Sequence, residues 1–242
     1  PANIDGLPAW PTPLNHIIAE RRGHVLEVTI NRPDAFNALY GEPHRELSAV
    51  FDAYEADPDL WVAILTGAGT KAFCSGNDLK VTKEGGDIST PDTGFGGLAN
   101  RHDREKPIIA AVNGVAMGGG MEIVLACDLA IADPHALMAL PEVKVGLFAA
   151  AGGIQRLSRQ IGRKAAMELI LTGRHVTAVR ALELGIINAI SEDGKSALDR
   201  AEGIEDALND SVQAFGALLE TNDAKEGVAA FVAKRAPNWT NS

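Results

Sequence analysis

Two glutamates stand in surroundings that do not suit a carboxylate. Glu122 lies in Gly120-Met121-Glu122-Ile123-Val124-Leu125-Ala126, and Glu142 in Leu140-Pro141-Glu142-Val143. A buried carboxylate must be paired, neutralised or functional. Two of them suggest an acid–base pair, one giving a proton and one taking it. Taken alone, a surface edge or a structural salt bridge accounts for each as well, and Lys144 is a candidate partner. Gly118-Gly119-Gly120 runs directly into the first glutamate. Glycine lets the backbone approach a ligand closely, and the N–H groups that open a helix carry partial positive charge. That is one way to build an oxyanion hole. A tight turn needing positive φ is the plainer alternative. Ser75-Gly76-Asn77-Asp78 is a second strand-to-loop segment with the same potential, and one N–H from each segment would make a two-donor hole.

These groups need elements to hold them. Residues 14–20 and 24–30 read as a hairpin turning at Gly23. Leu47, Val50, Phe51 and Tyr54 recur at helical spacing, which predicts an amphipathic helix over 43–56. Residues 61–66 and 107–113 are continuous apolar runs and read as buried strands. A short apolar helix over 121–127 follows the glycine run, with a strand at 128–133, an extended stretch at 137–140 and a loop at 141–148. Helices are expected at 163–171 and 178–184, the second ended by Gly185, before a short strand at 186–190. From Gly203 onward the pattern is helical, with capping-box spacing at Asp223 and Glu226. Strands alternating with helices, then helices alone, argue for an α/β fold with a helical C-terminal region. Residues 1–13, with four prolines, read as a loose N-terminal arm, and 82–99, with five glycines, as a lid or a surface loop.

Composition narrows the functions. The chain has 242 residues, 46% of them hydrophobic, which excludes wholesale disorder. A net charge of −10 lacks the electrostatic footprint of a nucleic-acid binder, though a local basic patch can still hold an anionic ligand. No apolar stretch is long enough to predict a membrane span. Two cysteines, Cys74 and Cys127, suit a reducing, cytoplasmic setting better than a disulfide framework. Gly67-Ala68-Gly69 follows a strand but lacks the helix a dinucleotide site requires. The six histidines show no metal-ligand spacing, so no metal is expected.

Five ordered motifs together resemble the crotonase superfamily, the enoyl-CoA hydratase/isomerase family. They are Asn31-Arg32-Pro33-Asp34-Ala35-Phe36-Asn37-Ala38-Leu39, Phe73-Cys74-Ser75-Gly76-Asn77-Asp78-Leu79-Lys80, Asn113-Gly114-Val115-Ala116-Met117-Gly118-Gly119-Gly120-Met121-Glu122, Leu140-Pro141-Glu142-Val143-Lys144-Val145-Gly146, and Gly152-Gly153-Ile154-Gln155-Arg156-Leu157. The resemblance implies a spiral of repeated β-β-α units over 14–190 and a helical trimerisation region over 191–242. It implies a homotrimer or dimer of trimers acting on acyl-CoA thioesters without any cofactor, CoA being part of the substrate. Asn77 and Gly119 match the oxyanion-hole N–H donors. Ala35, Phe36 and Ala38 match the stretch beside the CoA adenine, and Asp78, Leu79 and Lys80 a further substrate-binding stretch. Arg32 and Lys80 would supply positive charge for the CoA.

Glu122 and Glu142 match the two catalytic glutamates of the hydratases, the first activating water for attack at C3, the second supplying a proton to C2. Ala149-Ala150-Ala151 stands where hydratases commonly have a Pro-Gly-rich segment, and Asn77 where they commonly have Ala. The interval from Ile190 to Gly203 is shorter than the family's, which implies a missing segment near Ala201–Gly203. The expected activity is enoyl-CoA hydration. Alternatives are dehydration of the carnitinyl-CoA type, which Gly94-Phe95-Gly96-Gly97-Leu98 and Lys234-Arg235-Ala236-Pro237-Asn238-Trp239 resemble, enoyl-CoA isomerisation on the same fold, or acyl-CoA binding without turnover.

Overall fold

The structure is a computed structural model that describes residues 14–192, 195–202, 221–238 and 240. The chain divides into two units, Pro1–Ala201 and Glu202–Ser242. In the first, β1 (Ile17–Arg22) and β2 (Val25–Ile30) form the expected antiparallel hairpin, and Gly23 turns it at φ +61°. Helix α1 (Gly41–Ala56) follows and buries Leu47, Val50, Phe51 and Tyr54.

The path then repeats. β3 (Val62–Gly67) joins β2 in a six-stranded sheet, whereas β4 (Ala72–Cys74) starts a second sheet and leads to the single-turn α2 (Leu79–Lys83). β5 (Ile108–Val112) returns to the first sheet, β6 (Val115–Met117) to the second, and α3 (Gly119–Ala126) follows. β7 (Leu129–Ala132) and β8 (Leu137–Ala139) do the same, ahead of a 3-10 segment at Pro141–Val145 and α4 (Gly153–Gln160). Each turn is thus a β-β-α unit with one strand in each sheet. This is the crotonase spiral. After α5 (Arg163–Thr172), β9 (Val176–Thr177) closes the second sheet against β8. After α6 (Ala178–Leu184), β10 (Ala189–Ile190) closes the first against β7.

Strands β3 and β5 are buried at every position, because parallel strands covered on both faces must be apolar throughout. Where β3 ends, the buried Asn113 side chain fastens the turn. It accepts the Gly67 N–H at 3.2 Å and donates to the carbonyls of Gly67 at 2.5 Å and Gly69 at 2.6 Å. Asn37 does the same for the 31–39 loop, accepting the Arg32 N–H and donating to the Ala68 and Ala72 carbonyls.

Several expectations need correction. The strand expected over 186–190 is only Ala189–Ile190, since Ile186 and Ile187 pack into the core outside the ladder. Of the segment 82–99, only its end is packed down; 82–90 are exposed. Phe95, Leu98 and Ala99 are buried, and the Gly96 N–H donates to His44. In the second unit, α7 (Asn222–Val232) opens at Thr221, whose hydroxyl accepts the Ala224 N–H at 3.1 Å. Asp223 instead accepts from Thr240, and Glu226 pairs with Arg235, so the capping box expected at those two residues does not form. The N-terminal arm, all of 203–220 and the junction at Glu202–Gly203 where a missing segment is expected lie outside the described residues. Among the described residues, no helix is long and apolar enough to cross a membrane.

Candidate active site

The glycine run has a specific packing cause. A side chain at Gly120 would place Cβ 1.9 Å from the Cys74 carbonyl oxygen. The start of α3 is therefore pressed onto the end of β4. This closeness brings the 75–77 segment to the helix N-terminus, where a Cβ on Gly76 would lie 3.2 Å from the Gly119 nitrogen. Helix α3 begins at Gly119 rather than Met121, so the last two glycines form its first turn. Among the described residues, the N–H groups of Asn77 and Gly119 donate to no protein acceptor. Two open backbone donors, one of them at a helix N-terminus, thus lie on adjoining segments. The Phe95 ring backs this spot, so close that a Cβ on Gly119 would sit 2.3 Å from it.

Glu122 lies one turn into α3, is 4% exposed, and points at the turn that opens α4. Its Oε1 accepts the Gly153 N–H at 2.9 Å. Burial pushes its pKa up to about 7, with the Glu142 charge adding to the rise and the N–H groups of Gly153 and Ala151 opposing it. Glu142 sits in the 3-10 segment after β8, and burial raises its pKa as well. Its Oε1 lies beside Gly118, where a Cβ would come within 3.2 Å, and its Oε2 is buried without a partner. Lys144, the alternative partner considered from sequence, forms no ion pair with Glu142 among the described residues. Two carboxyls with raised pKa values therefore flank the two open N–H donors. That arrangement can add or remove a proton beside a carbonyl whose oxygen becomes negative.

The stretches expected to meet the CoA are held side by side. The Leu39 N–H donates to Gly76 O, the Asp78 N–H to Leu39 O, and the Ser75 N–H to Phe36 O. Phe36 has φ +52° and is half exposed; Leu79 and Lys80 are exposed. Two residues have other duties than those read from sequence. Asp78 caps α2 through the N–H groups of Lys80 and Val81. Although burial pushes its pKa up, those donors and Arg32 hold it below the usual carboxylate range. Arg32 is not a free charge for an anion: its guanidinium donates to Ala38 O, pairs with Asp78 at 3.0 Å and lies over the Tyr40 ring. It fastens one stretch to the other.

Sequence reasoning missed the donors that hold Glu122, because Ala151 and Gly153 lie some thirty residues downstream; the Gly152-Gly153 pair was the available signal. It also missed His44, fully buried, whose Nδ1 accepts the Gly96 N–H at 3.0 Å and whose ring meets Phe95 edge-on at 4.4 Å. His16, Glu42 and Glu46 come together as well. Their polar atoms are engaged within the protein: Glu46 accepts the N–H groups of residues 15, 16 and 17, and Tyr40 bridges the other two.

Residues 20–214 match the profile of the family described as enoyl-CoA hydratase/isomerase. Mevalonyl-coenzyme A hydratase of Beauveria bassiana is 40% identical, with 90% of this chain and 92% of that protein covered. That match runs over 260 positions, so the relative carries residues with no counterpart among these 242. Short-chain-enoyl-CoA hydratase of Clostridium acetobutylicum is 38% identical, covering 92% and 96% of the two chains. A solved carnitinyl-CoA dehydratase from Mycobacterium avium superposes with a TM-score of 0.76 at 40% identity, covering 94% of this chain and 99% of that one. With the β-β-α spiral, the paired glutamates and these likenesses over nearly the whole chain, the protein belongs to the enoyl-CoA hydratase/isomerase family, within the crotonase superfamily.

Proposed function

We propose that the protein is an enoyl-CoA hydratase-type lyase, adding water reversibly across the 2,3 double bond of an enoyl-CoA thioester. One observation carries this: two carboxyls of raised pKa flank two backbone N–H groups that have no protein acceptor. The thioester oxygen would accept from Asn77 and Gly119. Glu122, held by the N–H groups of Gly153 and Ala151, would take a proton from water. Its pKa of about 7 suits a base near neutrality. As the water oxygen bonds to C3, the π electrons move through C2 onto the thioester oxygen. Each N–H is worth about 3–4 kcal/mol at that stage. Glu142, whose pKa burial raises, is the group placed to deliver a proton to C2. The reverse sequence dehydrates a 3-hydroxyacyl thioester, and neither direction consumes a cofactor.

The CoA would lie along Ala35, Phe36 and Ala38 and along Asp78, Leu79 and Lys80, with Lys80 as the open positive charge. A homotrimer or dimer of trimers would cover Val145, Leu147 and Phe148, each more than 60% exposed. Both cysteines are buried free thiols, which fits a reducing cytoplasm. The test is loss of conjugated-thioester absorbance with crotonyl-CoA, with Glu122→Gln and Glu142→Gln alongside. Loss in both variants supports hydration. Survival in Glu122→Gln points to double-bond isomerisation, where Glu142 alone can move the proton.

A further inference from the structure

Beside Glu122 the first unit opens into a cleft of about 520 Å³. Its wall includes Ala150 and Gly152, which flank the Ala151 N–H that faces the Glu122 carboxyl. Its other side carries Asn100, His102, Arg156 and Arg159. No carboxylate lines it, in a protein with a net charge of −10.

The arginines here differ from those elsewhere. Among the described residues, every other arginine except Arg163 faces a carboxylate, as in Arg21–Asp57, Arg101–Asp52 and Arg104–Asp128. Arg156 and Arg159 have only carbonyl partners. Arg156 donates to Ala99 O at 2.6 Å and Ala151 O at 3.3 Å; Arg159 donates to Gln155 O at 2.9 Å. Arg156 is half-buried; desolvation and the nearby Arg104 lower its pKa, and the Glu122 charge opposes them. Arg156 feels the Glu122 charge, whereas Arg159, one helical turn on, pairs with no carboxylate among the described residues and walls the cleft with a planar, fork-shaped group suited to an oxyanion. The cleft shares a loop with the group that would hold the reacting water. A chain extending beyond C3 therefore runs into it.

We propose that this cleft receives the far end of the acyl chain and that this end carries a carboxylate, so that the substrate is an enoyl-CoA derived from a dicarboxylic acid. Arg159 binds the carboxylate directly. Arg156 contributes its charge while holding the 99 and 151 backbone in place. This inference rests on the hydratase reading and specifies its substrate class.

The experiment compares 2-enedioyl-CoA thioesters of five and six carbons with the 2-enoyl-CoA thioesters of the same length, by kcat/KM at low ionic strength. The proposal expects the carboxylated thioester to be preferred at least tenfold at one or both lengths. It expects Arg159→Gln to bring that ratio close to one, mainly through KM, and Arg159→Lys to restore part of it. Added salt should lower the preference. Equal turnover of both classes, or preference for the uncharged chain at both lengths, overturns the dicarboxylate inference and leaves the hydratase reading standing. A preference that Arg159→Gln does not change overturns the assignment of this cleft. Absence of turnover with every thioester overturns the hydratase reading, and this inference with it.

Discussion

Replacing Glu122 by Gln should make the protein more stable as it makes it inactive, and the gain should depend on pH. Glu122 is nearly inaccessible, and burial raises its pKa from the ordinary 4.5 to about 7. Between those values the folded chain holds a proton that the unfolded chain releases, so stability falls as pH rises through this window and is constant above it. A difference of that size corresponds to roughly 3 kcal/mol, as an upper bound for a group that retains a backbone N–H partner. Glutamine keeps the shape and can still accept from Gly153, but has no charge to desolvate. Urea unfolding at fixed protein concentration would be compared at pH 4.5 and pH 8. The variant should match the wild type at the lower pH and exceed it by about 2–3 kcal/mol at the higher. An equal difference at both pH values, or a variant less stable at pH 8, would refute the view that this carboxylate is held in an apolar site against its charge.

Other consequences can be checked separately. His44 is held neutral by burial, which lowers its pKa from 6.5 to about 4, so its share of stability is present above 6.5 and lost as pH falls toward 4. His44→Gln should flatten that part of the acid-unfolding curve. Asn113→Ala removes three hydrogen bonds from the β3–β5 junction and should cost about 2–4 kcal/mol in urea unfolding. Gly120→Ala forces Cβ onto the Cys74 carbonyl and should prevent α3 from packing, read as loss of cooperative melting. Arg32→Ala frees the 38 and 78 backbone from each other and should raise KM for the thioester at least tenfold more than it lowers kcat.

Much of the first sheet was legible because its signals are continuous. β3 and β5 are unbroken apolar runs, and α1 repeats its apolar residues at helical spacing. The second sheet was largely hidden. β4, β6 and β9 have three, three and two residues, too few for any period to show, and their partners lie far along the chain. Helix α4 escaped because its sequence is mostly polar and only Gly153 and Leu157 are buried. At the site, Glu122 and Glu142 stood out by their apolar surroundings, and the resemblance supplied their roles. What could not be read was contact between distant segments: Cys74 against Gly120, Gly153 under Glu122, and Arg32 engaged by Asp78 instead of open to a ligand.

The central claim is that Glu122 and Glu142 act together to add water to an enoyl-CoA. Its most direct test follows the conjugated-thioester absorbance of crotonyl-CoA across pH 5–9, with product mass checked for one added water. The wild type should turn over with an acid limb near pH 7, from Glu122, and each Glu→Gln variant should lose at least about a thousandfold in kcat. Turnover that persists in both variants, or binding of the thioester without any product gaining water, would contradict it.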